Sequence, residues 1–337
     1  MSQLPRGLLM NSDNEFRLLV SIVNYNSARL VCEMLPTLIE QLINQVDKVV
    51  IVDNNSSDDS AELIQQFIKE RCLHEQILFI ASDINGGFSF GNNLAIKEGI
   101  KSVGYEPKYV LLLNPDAKPE PGAIESLITF AEQNPQVGLA GSQLLDENGN
   151  TQRSAFTFHS IMSELLSSLR LGILDKYFSH YLVSSGLIPI QPTKIDWLAG
   201  ASMLIRYQVI RDIGFMDENY FLYFEETDYC LQAKLSSWEC WYVPQSKVIH
   251  LEGQSTGVVS NDKHRRRRPQ YWFESRQYYF IKNHGRVYLA LADLIWITGF
   301  TFRKFRYFLQ RKENTEPKLM LFDFCRNSIF FSWINKN

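Results

Sequence analysis

With 337 residues, 45% apolar and 21% charged content, the chain has the make-up of a folded protein with room for one large α/β domain plus an appendage, or for two domains. Its five cysteines (Cys32, Cys72, Cys230, Cys240, Cys325) form no CxxC pattern and no even-numbered framework, which disfavours a disulfide scaffold and suits buried thiols in a reducing compartment. The net charge of −3 hides an asymmetry: Lys263–Lys312 holds 13 basic against two acidic residues, a net of +11, which leaves −14 for the rest.

In chain order, Met1–Glu15 is polar, lacks the apolar stretch of a signal peptide and reads as a loose leader. Phe16–Val23 is a buried strand ending in Asn24-Tyr25-Asn26. Ser27 can cap a helix to about Asn44, kinked or divided at Pro36. A second strand, Val46–Val52, ends in Asp53-Asn54-Asn55-Ser56, and Ser57 or Asp58 can cap a helix through Glu70. Ile77–Ala81 is a third strand, followed by a Gly-rich loop, Asp83–Asn93, that enters a helix to Lys101. Tyr109–Leu113 is apolar on both faces, as a central parallel strand must be, and it stops at Asn114-Pro115-Asp116 because Pro115 cannot donate to a ladder. A helix at Pro121–Gln133 and a short strand at Val137–Ala140 complete a βα alternation that predicts a mostly parallel sheet with right-handed crossovers. Asn148-Gly149 marks a tight turn, Arg153–Pro192 is irregular and helical, Ile195–Ile205 is strand-like, Phe221–Ala233 passes from loop to helix, and Cys240–Val243 and Val248–His250 are short strands.

Three strands thus end in Asn/Asp clusters on one sheet edge, where open α/β sheets take their ligands. Asp116 is a hard oxygen ligand suited to Mg2+ or Mn2+, or else part of an ordinary strand-ending turn. Asp53 can accept the imide N–H of a pyrimidine, or simply enter a helix. Asn85-Gly86-Gly87-Phe88-Ser89-Phe90-Gly91-Asn92-Asn93 is neither GxGxxG nor GxxxxGKS, which counts against a dehydrogenase or a P-loop enzyme. Its paired glycines permit close backbone approach, and the helix start behind them favours an anion. Phe221-Leu222-Tyr223-Phe224-Glu225-Glu226-Thr227-Asp228 puts three carboxylates in four residues. At helical spacing Glu225 and Asp228 are neighbours while Glu226 points elsewhere, so one carboxylate can take a proton from a hydroxyl; the alternative is acidic decoration of a helix start. His250 ends a strand and becomes a ligand only if Asp116 needs a second one.

Seven motifs in order make the chain resemble a family 2 glycosyltransferase of the GT-A fold, close to its rhamnosyltransferase-like branch: Val23–Asn26, Val52–Ser56, Asn85–Asn93, Leu113–Asp116, Gly200–Arg206, Phe221–Asp228 and His250–Ser255. The resemblance implies a GT-A domain over 16–260, with a nucleotide-sugar half at about 16–145 and an acceptor half at about 146–260, and a helical extension at 261–337. It implies a donor site of Asn24, Tyr25, Asn26, Asp53, Asn55, Asn85, Gly86, Gly87, Asn92, Asn114 and Asp116. Acceptor or sugar contacts fall at Trp197, Gly200 and Ala201, a Mg2+ or Mn2+ site at Asp116 and His250, and the catalytic base at Glu226, with Glu225 and Asp228 beside it. The implied reaction is inverting transfer from a nucleotide-sugar, dTDP-rhamnose before a UDP- or GDP-sugar, to a glycan or lipid-linked glycan of a bacterial surface polysaccharide. Two departures stand out, Asn114 in place of the first Asp of D-x-D and Glu226 in place of Asp; they keep a non-catalytic nucleotide-sugar-binding protein of the same fold as the alternative.

In the tail, Arg265–Arg268, Tyr271-Trp272-Phe273 and Tyr278-Tyr279-Phe280 interleave charge with aromatics. The apolar stretch Val287–Phe300 is 14 residues long and contains Asp293, short of the ~20 residues of a membrane span. The expectation is a cytoplasmic protein held peripherally on the inner face of the membrane, or a helical pair packed on the domain or on a dimer partner; no nucleic-acid module is present.

Overall fold

The first four apolar runs become four adjacent parallel strands: β1 (Leu18–Asn24), β2 (Asp47–Asp53), β3 (Ile77–Ala81) and β4 (Tyr109–Leu113), in the order β3-β2-β1-β4. The computed structural model describes residues 16–184, 188–251, 267–312 and 316–332; the expected leader, Gly253–Ser255 of the His-x-x-Gly-x-Ser motif, and Arg265 and Arg266 lie outside the described residues. The crossovers are α1 (Ala28–Ile39), α2 (Ser60–Glu70) and α3 (Gly87–Val103). Helix α1 runs through Pro36 but ends at Ile39, short of the expected Asn44. Ser27 sits at its N-cap, yet its hydroxyl donates to Tyr25 O; α2 begins after Asp59, one residue later than the expected caps.

The second half is less regular. After β5 (Ala117–Pro119), α4 (Ala123–Gln133) and β6 (Val137–Leu145) come β7 (Ala155–Phe156), α5 (Ile161–Leu169), α6 (Gly172–Tyr177), β8 (Thr193–Ile195), β9 (Trp197–Leu198), β10 (Ser202–Arg206), α7 (Tyr207–Ile213), α8 (Glu225–Leu235) and β11 (Glu239–His250). The expected strand Ile195–Ile205 is three pieces, because the chain turns at Gly200-Ala201 and returns as β10, antiparallel between β4 and β6. The two expected short strands near the end of the domain are one, β11, bulged between Val243 and Lys247 where its register on β6 shifts. The sheet carries a hydrophobic core on each face, which is why β4 is buried along its whole length.

The tail forms α9 (Gln270–His284), α10 (Arg286–Leu309), α11 (Met320–Arg326) and α12 (Ile329–Ser332). It packs on the domain. Three of the six aromatics expected at a membrane are buried in the protein: Phe273, Tyr279 and Phe280 are at most 4% exposed, the last two in a cluster with Tyr220 and Phe224. An amphipathic helix buries its richest apolar face first, and here the domain supplies the partner. The expected buried thiols hold for Cys230 and Cys240 but not for Cys72, which is exposed. Among the described residues, no helix is long and apolar enough to cross a membrane.

Candidate active site

The strand ends converge through side-chain hydrogen bonds. Register sets Asn24 beside Asp53, and Asp53 is buried. Asp53 Oδ1 accepts from Asn24 Nδ2 (2.7 Å) and Ser56 Oγ (2.6 Å), and Oδ2 accepts from Ser56 N (3.0 Å). The carboxylate is thereby oriented, and Oδ2, with one donor, keeps capacity for another. Asn26 and Asn55 both take the left-handed conformation, at φ 51° and 59°, and Asn26 Oδ1 accepts from Ser57 N. Tyr25 stands exposed beside them.

Asn54, which the sequence reading passed over, ties this loop to the glycines. Its amide donates to Asn85 Oδ1 (3.0 Å) and Gly87 O (3.1 Å). Its only signal was membership of an Asn-rich strand end. Asn92, expected in the donor site, is buried instead: its Oδ1 accepts from Ser21 Oγ (2.7 Å) and its NH2 donates to Phe88 O (3.0 Å). It clamps α3 to β1, because a polar side chain one turn into a packed helix must satisfy itself locally.

Gly87 is the joint between the two halves of the site. Its φ is +85°, and a Cβ there would lie 2.0 Å from Phe221 O, the carbonyl that accepts from Phe88 N at 2.9 Å. Gly87→Ala is expected to cost about 2–4 kcal/mol in urea unfolding, from left-handed strain plus overlap with backbone. Gly104→Ala, at φ +91° with nothing within 4 Å, isolates the strain alone and should cost about 1–2 kcal/mol. Equal losses in the two variants would contradict the contact.

At the end of β4, Asp116 meets His250. β5 and β11 pair Ala117 with His250, Leu251 N donates to Asp116 O (3.0 Å), and His250 Nε2 lies 3.4 Å from Asp116 Oδ1. Gln152, also unforeseen, fixes the ring: its NH2 donates to His250 O (3.1 Å), so its Oε1 faces His250 Nδ1 (3.3 Å) as an acceptor. Nδ1 is thus placed to donate to Gln152, and Nε2 faces a carboxylate oxygen. One carboxylate oxygen and one imidazole nitrogen suit Mn2+ and are a sparse set for Mg2+. Among the described residues, no group of three or more potential ligands occurs.

The acidic helix start is brought to the same edge. Asn114 N donates to Ala201 O (3.0 Å), and the Gly200 N–H donates to the Glu226 carboxylate. Gly200 lies against the Phe88 ring, where a Cβ would be 3.0 Å from it. Tyr223 and Phe224 precede α8 at φ 70° and 68°, two consecutive left-handed non-glycine residues. Such strain persists only where surrounding structure enforces it, and here it sets where the two glutamates fall. Glu225 is buried, and burial, then the negative charge of Glu226, pushes its carboxyl well above the ordinary range. Burial also raises Glu226, but its own N–H, the Gly200 N–H and Glu225 oppose that. Burial of two adjacent carboxyls disfavours ionising both, and the N–H donors on Glu226 favour it over Glu225 as the charged member.

This corrects the spacing argument: the interacting pair is Glu225–Glu226, not Glu225–Asp228. Asp228 accepts from Lys282 Nζ (2.7 Å) and Asn283 Nδ2 (2.8 Å), so α9 takes it away from the proposed chemistry. Trp197 stacks on Phe156 at 4.3 Å and donates to Thr157 O, which fixes its ring near Gly200-Ala201 in sequence.

Residues 19–186 match the family model described as Glycosyl transferase family 2. Over 216 residues, 62% of this chain and 68% of the relative, the sequence is 25% identical to the N-acetylglucosaminyl-diphospho-decaprenol L-rhamnosyltransferase of Mycobacterium tuberculosis. It is 27% identical to rhamnosyltransferase WbbL of Escherichia coli over 60% of this chain and 77% of that one. It is 28% identical to the low-salt glycan biosynthesis hexosyltransferase Agl10 of Haloferax volcanii, over 64% and 61%. Among solved structures, the mannosyltransferase PcManGT of Pyrobaculum calidifontis, in complex with GDP-Man and Mn2+, superposes with a TM-score of 0.56 at 12% identity, covering 99% of this chain and 92% of that one. TarS residues 1–349 of S. aureus with UDP-GlcNAc gives 0.52 at 15% identity, covering 93% and 81%. These likenesses show the expected GT-A fold.

Proposed function

We propose that this chain, a member of glycosyl transferase family 2, moves a hexose from a nucleotide-sugar to a hydroxyl of a glycan or lipid-linked glycan, with inversion at C1. The observation that carries this reading is the pairing of Glu225 with Glu226 beside Gly200, one backbone step from the Asn114–Asp116 strand end. Asp53 Oδ2 accepts the imide N–H of the base, with Asn24, Tyr25, Asn26, Asn55 and Asn85–Gly87 around the nucleotide. Asn114 and Asp116 underlie the diphosphate. Trp197, Gly200 and Ala201 face the sugar or acceptor. Glu226 takes the proton of the acceptor hydroxyl as its oxygen attacks C1 from the side opposite the departing diphosphate. Asp116 and His250 would hold Mn2+ or Mg2+, which offsets charge on that diphosphate when bound.

The rhamnosyltransferase relatives favour dTDP-rhamnose over a UDP- or GDP-sugar as donor and a bacterial surface polysaccharide as product. The reading divides the domain into a donor half at 16–145 and an acceptor half at 146–260, and places the protein on the cytoplasmic side of the membrane. Calorimetry with dTDP, UDP and GDP, each with and without Mn2+, tests it. One nucleotide is expected to bind, and Asp116→Asn is expected to weaken the Mn2+-dependent part at least about tenfold, as loss of a ligand does. No binding by any of the three would overturn the reading.

A further inference from the structure

Helix α10 has two apolar faces, and the domain covers only one. Leu289, Ala292, Trp296 and Phe300 face inward and are buried. At 100° per residue, Val287, Leu291, Leu294, Phe305, Phe308 and Leu309 fall within about 60° of one direction on the opposite side. All six are between 47% and 78% exposed. The stripe spans roughly 33 Å at 1.5 Å per residue, with exposed Thr298 and Thr301 between Leu294 and Phe305. Phe322 on α11 and Phe330 on α12 add exposed aromatic surface. So large an unpartnered apolar surface marks an interaction site.

The charges identify its occupant. Arg286 and Lys304 on α10, Arg311 and Lys312 just after it, Lys318, and Arg326 on α11 are all exposed. Among the described residues of 267–332, Glu274 is the one exposed carboxylate; Asp293 and Asp323 are buried, and Glu316 is paired with Arg170 and Arg303. A second copy docking by two-fold symmetry would set these cations against themselves. An anionic lipid surface offers the complementary sign, worth ~1 kcal/mol per basic residue, and an apolar interior for the stripe.

We propose that the outward face of α10, extended by α11 and α12, is a docking surface for an anionic phospholipid bilayer. Composition marks both the Tyr271–Phe273 and Tyr278–Phe280 aromatics and the apolar stretch 287–309; the burial of Phe273, Tyr279 and Phe280 leaves the second, on its outward side. It rests in part on the reading of a membrane-linked acceptor, which it would bring within reach of the domain. The same geometry links dock and site: α9, which packs with α10, holds Asp228 through Lys282 and Asn283, and Ser275 Oγ donates to Leu222 O (3.0 Å).

The test is co-sedimentation of the full chain with vesicles of phosphatidylcholine alone and of equal parts phosphatidylcholine and phosphatidylglycerol. Binding to the anionic vesicles only, weakened by NaCl, is expected. Leu294→Asp with Phe305→Asp should reduce the partition coefficient at least about tenfold, since each places a charge where an apolar side chain entered the interface. Both positions are already exposed, and an unchanged melting temperature and unchanged nucleotide binding by calorimetry certify the fold. Lys304→Glu with Lys312→Glu should remove the preference for phosphatidylglycerol. Wild type that ignores anionic vesicles, or variants that bind them as wild type does, would overturn the proposal. So would a wild-type dimer that the apolar variant turns into a monomer, which assigns the face to a second copy. Vesicle binding without nucleotide binding would instead sink the donor reading and leave this one standing.

Discussion

Glu226→Gln is expected to lower kcat by about 10²–10⁴-fold, the range of a lost general base, while nucleotide affinity stays within about twofold. The amide keeps the size of the side chain and can still accept from the Gly200 N–H, so the geometry of the turn survives. What is lost is the carboxylate that the Gly200 N–H and Glu225 favour as the charged member of the pair. The pH profile of kcat/KM adds a test. Because burial raises both members of the pair, the acid limb should lie above the ordinary glutamate range, with activity rising with pH as the pair loses its proton. Glu225→Gln replaces a group that becomes a like charge by a neutral donor, so that limb should move to lower pH. It should also flatten stability against pH. A group whose folded pKa is raised contributes its stability below its unfolded pKa, and that contribution fades as pH climbs through the folded value. A Glu226→Gln enzyme with wild-type turnover would refute the assignment, and an unmoved limb in Glu225→Gln would refute the interaction of the pair.

Arg276→Met is expected to destabilise the protein by about 3–5 kcal/mol, since it leaves two carboxylates buried without their cation. Arg276 is buried, with Nη1 2.7 Å from Asp293 Oδ1 and Nη2 2.8 Å from Glu164 Oε2, so one guanidinium joins α5, α9 and α10. The same group lies over the Phe280 and Phe324 rings at 4.9 and 4.6 Å. Burial raises the Glu164 carboxyl even with Arg276 beside it. Without the cation it should rise further, so the deficit in urea unfolding should grow with pH as the unpaired carboxylates are forced to ionise. Adding Glu164→Gln and Asp293→Asn should restore part of the loss. A deficit under about 1 kcal/mol would show that the triad contributes no more than a surface pair. Because α9 also holds Asp228 and Leu222, turnover should fall together with stability.

The parallel half of the fold was legible because burial on both faces leaves a plain record: apart from Ser21, residues 18–23, 49–52 and 109–113 are apolar, and each run ends at an Asn or Asp. The motifs ending those strands also announced the family. The acceptor half was not legible at that level. Gly200-Ala201 reads as strand in a run of apolar residues, and only packing against Phe88 and pairing with Asn114 make it a turn. Asn92 has the composition of a ligand-binding residue, and Gln152 has no motif at all. Which of them faces ligand depends on partners 71 and 98 residues distant in sequence.

By itself the sequence determined the order of elements in the parallel half, the strand ends at which Asp53 and Asp116 stand, and the ordered motifs of the family. Period, strand-end chemistry and motif order are local properties. The tertiary structure alone decided which glutamate pairs with which, that Asp228 belongs to Lys282 and Asn283, and which side of α10 the domain covers. A carboxylate's charge state and a helix's second apolar face are set by what packs against them, and those partners come from distant parts of the chain.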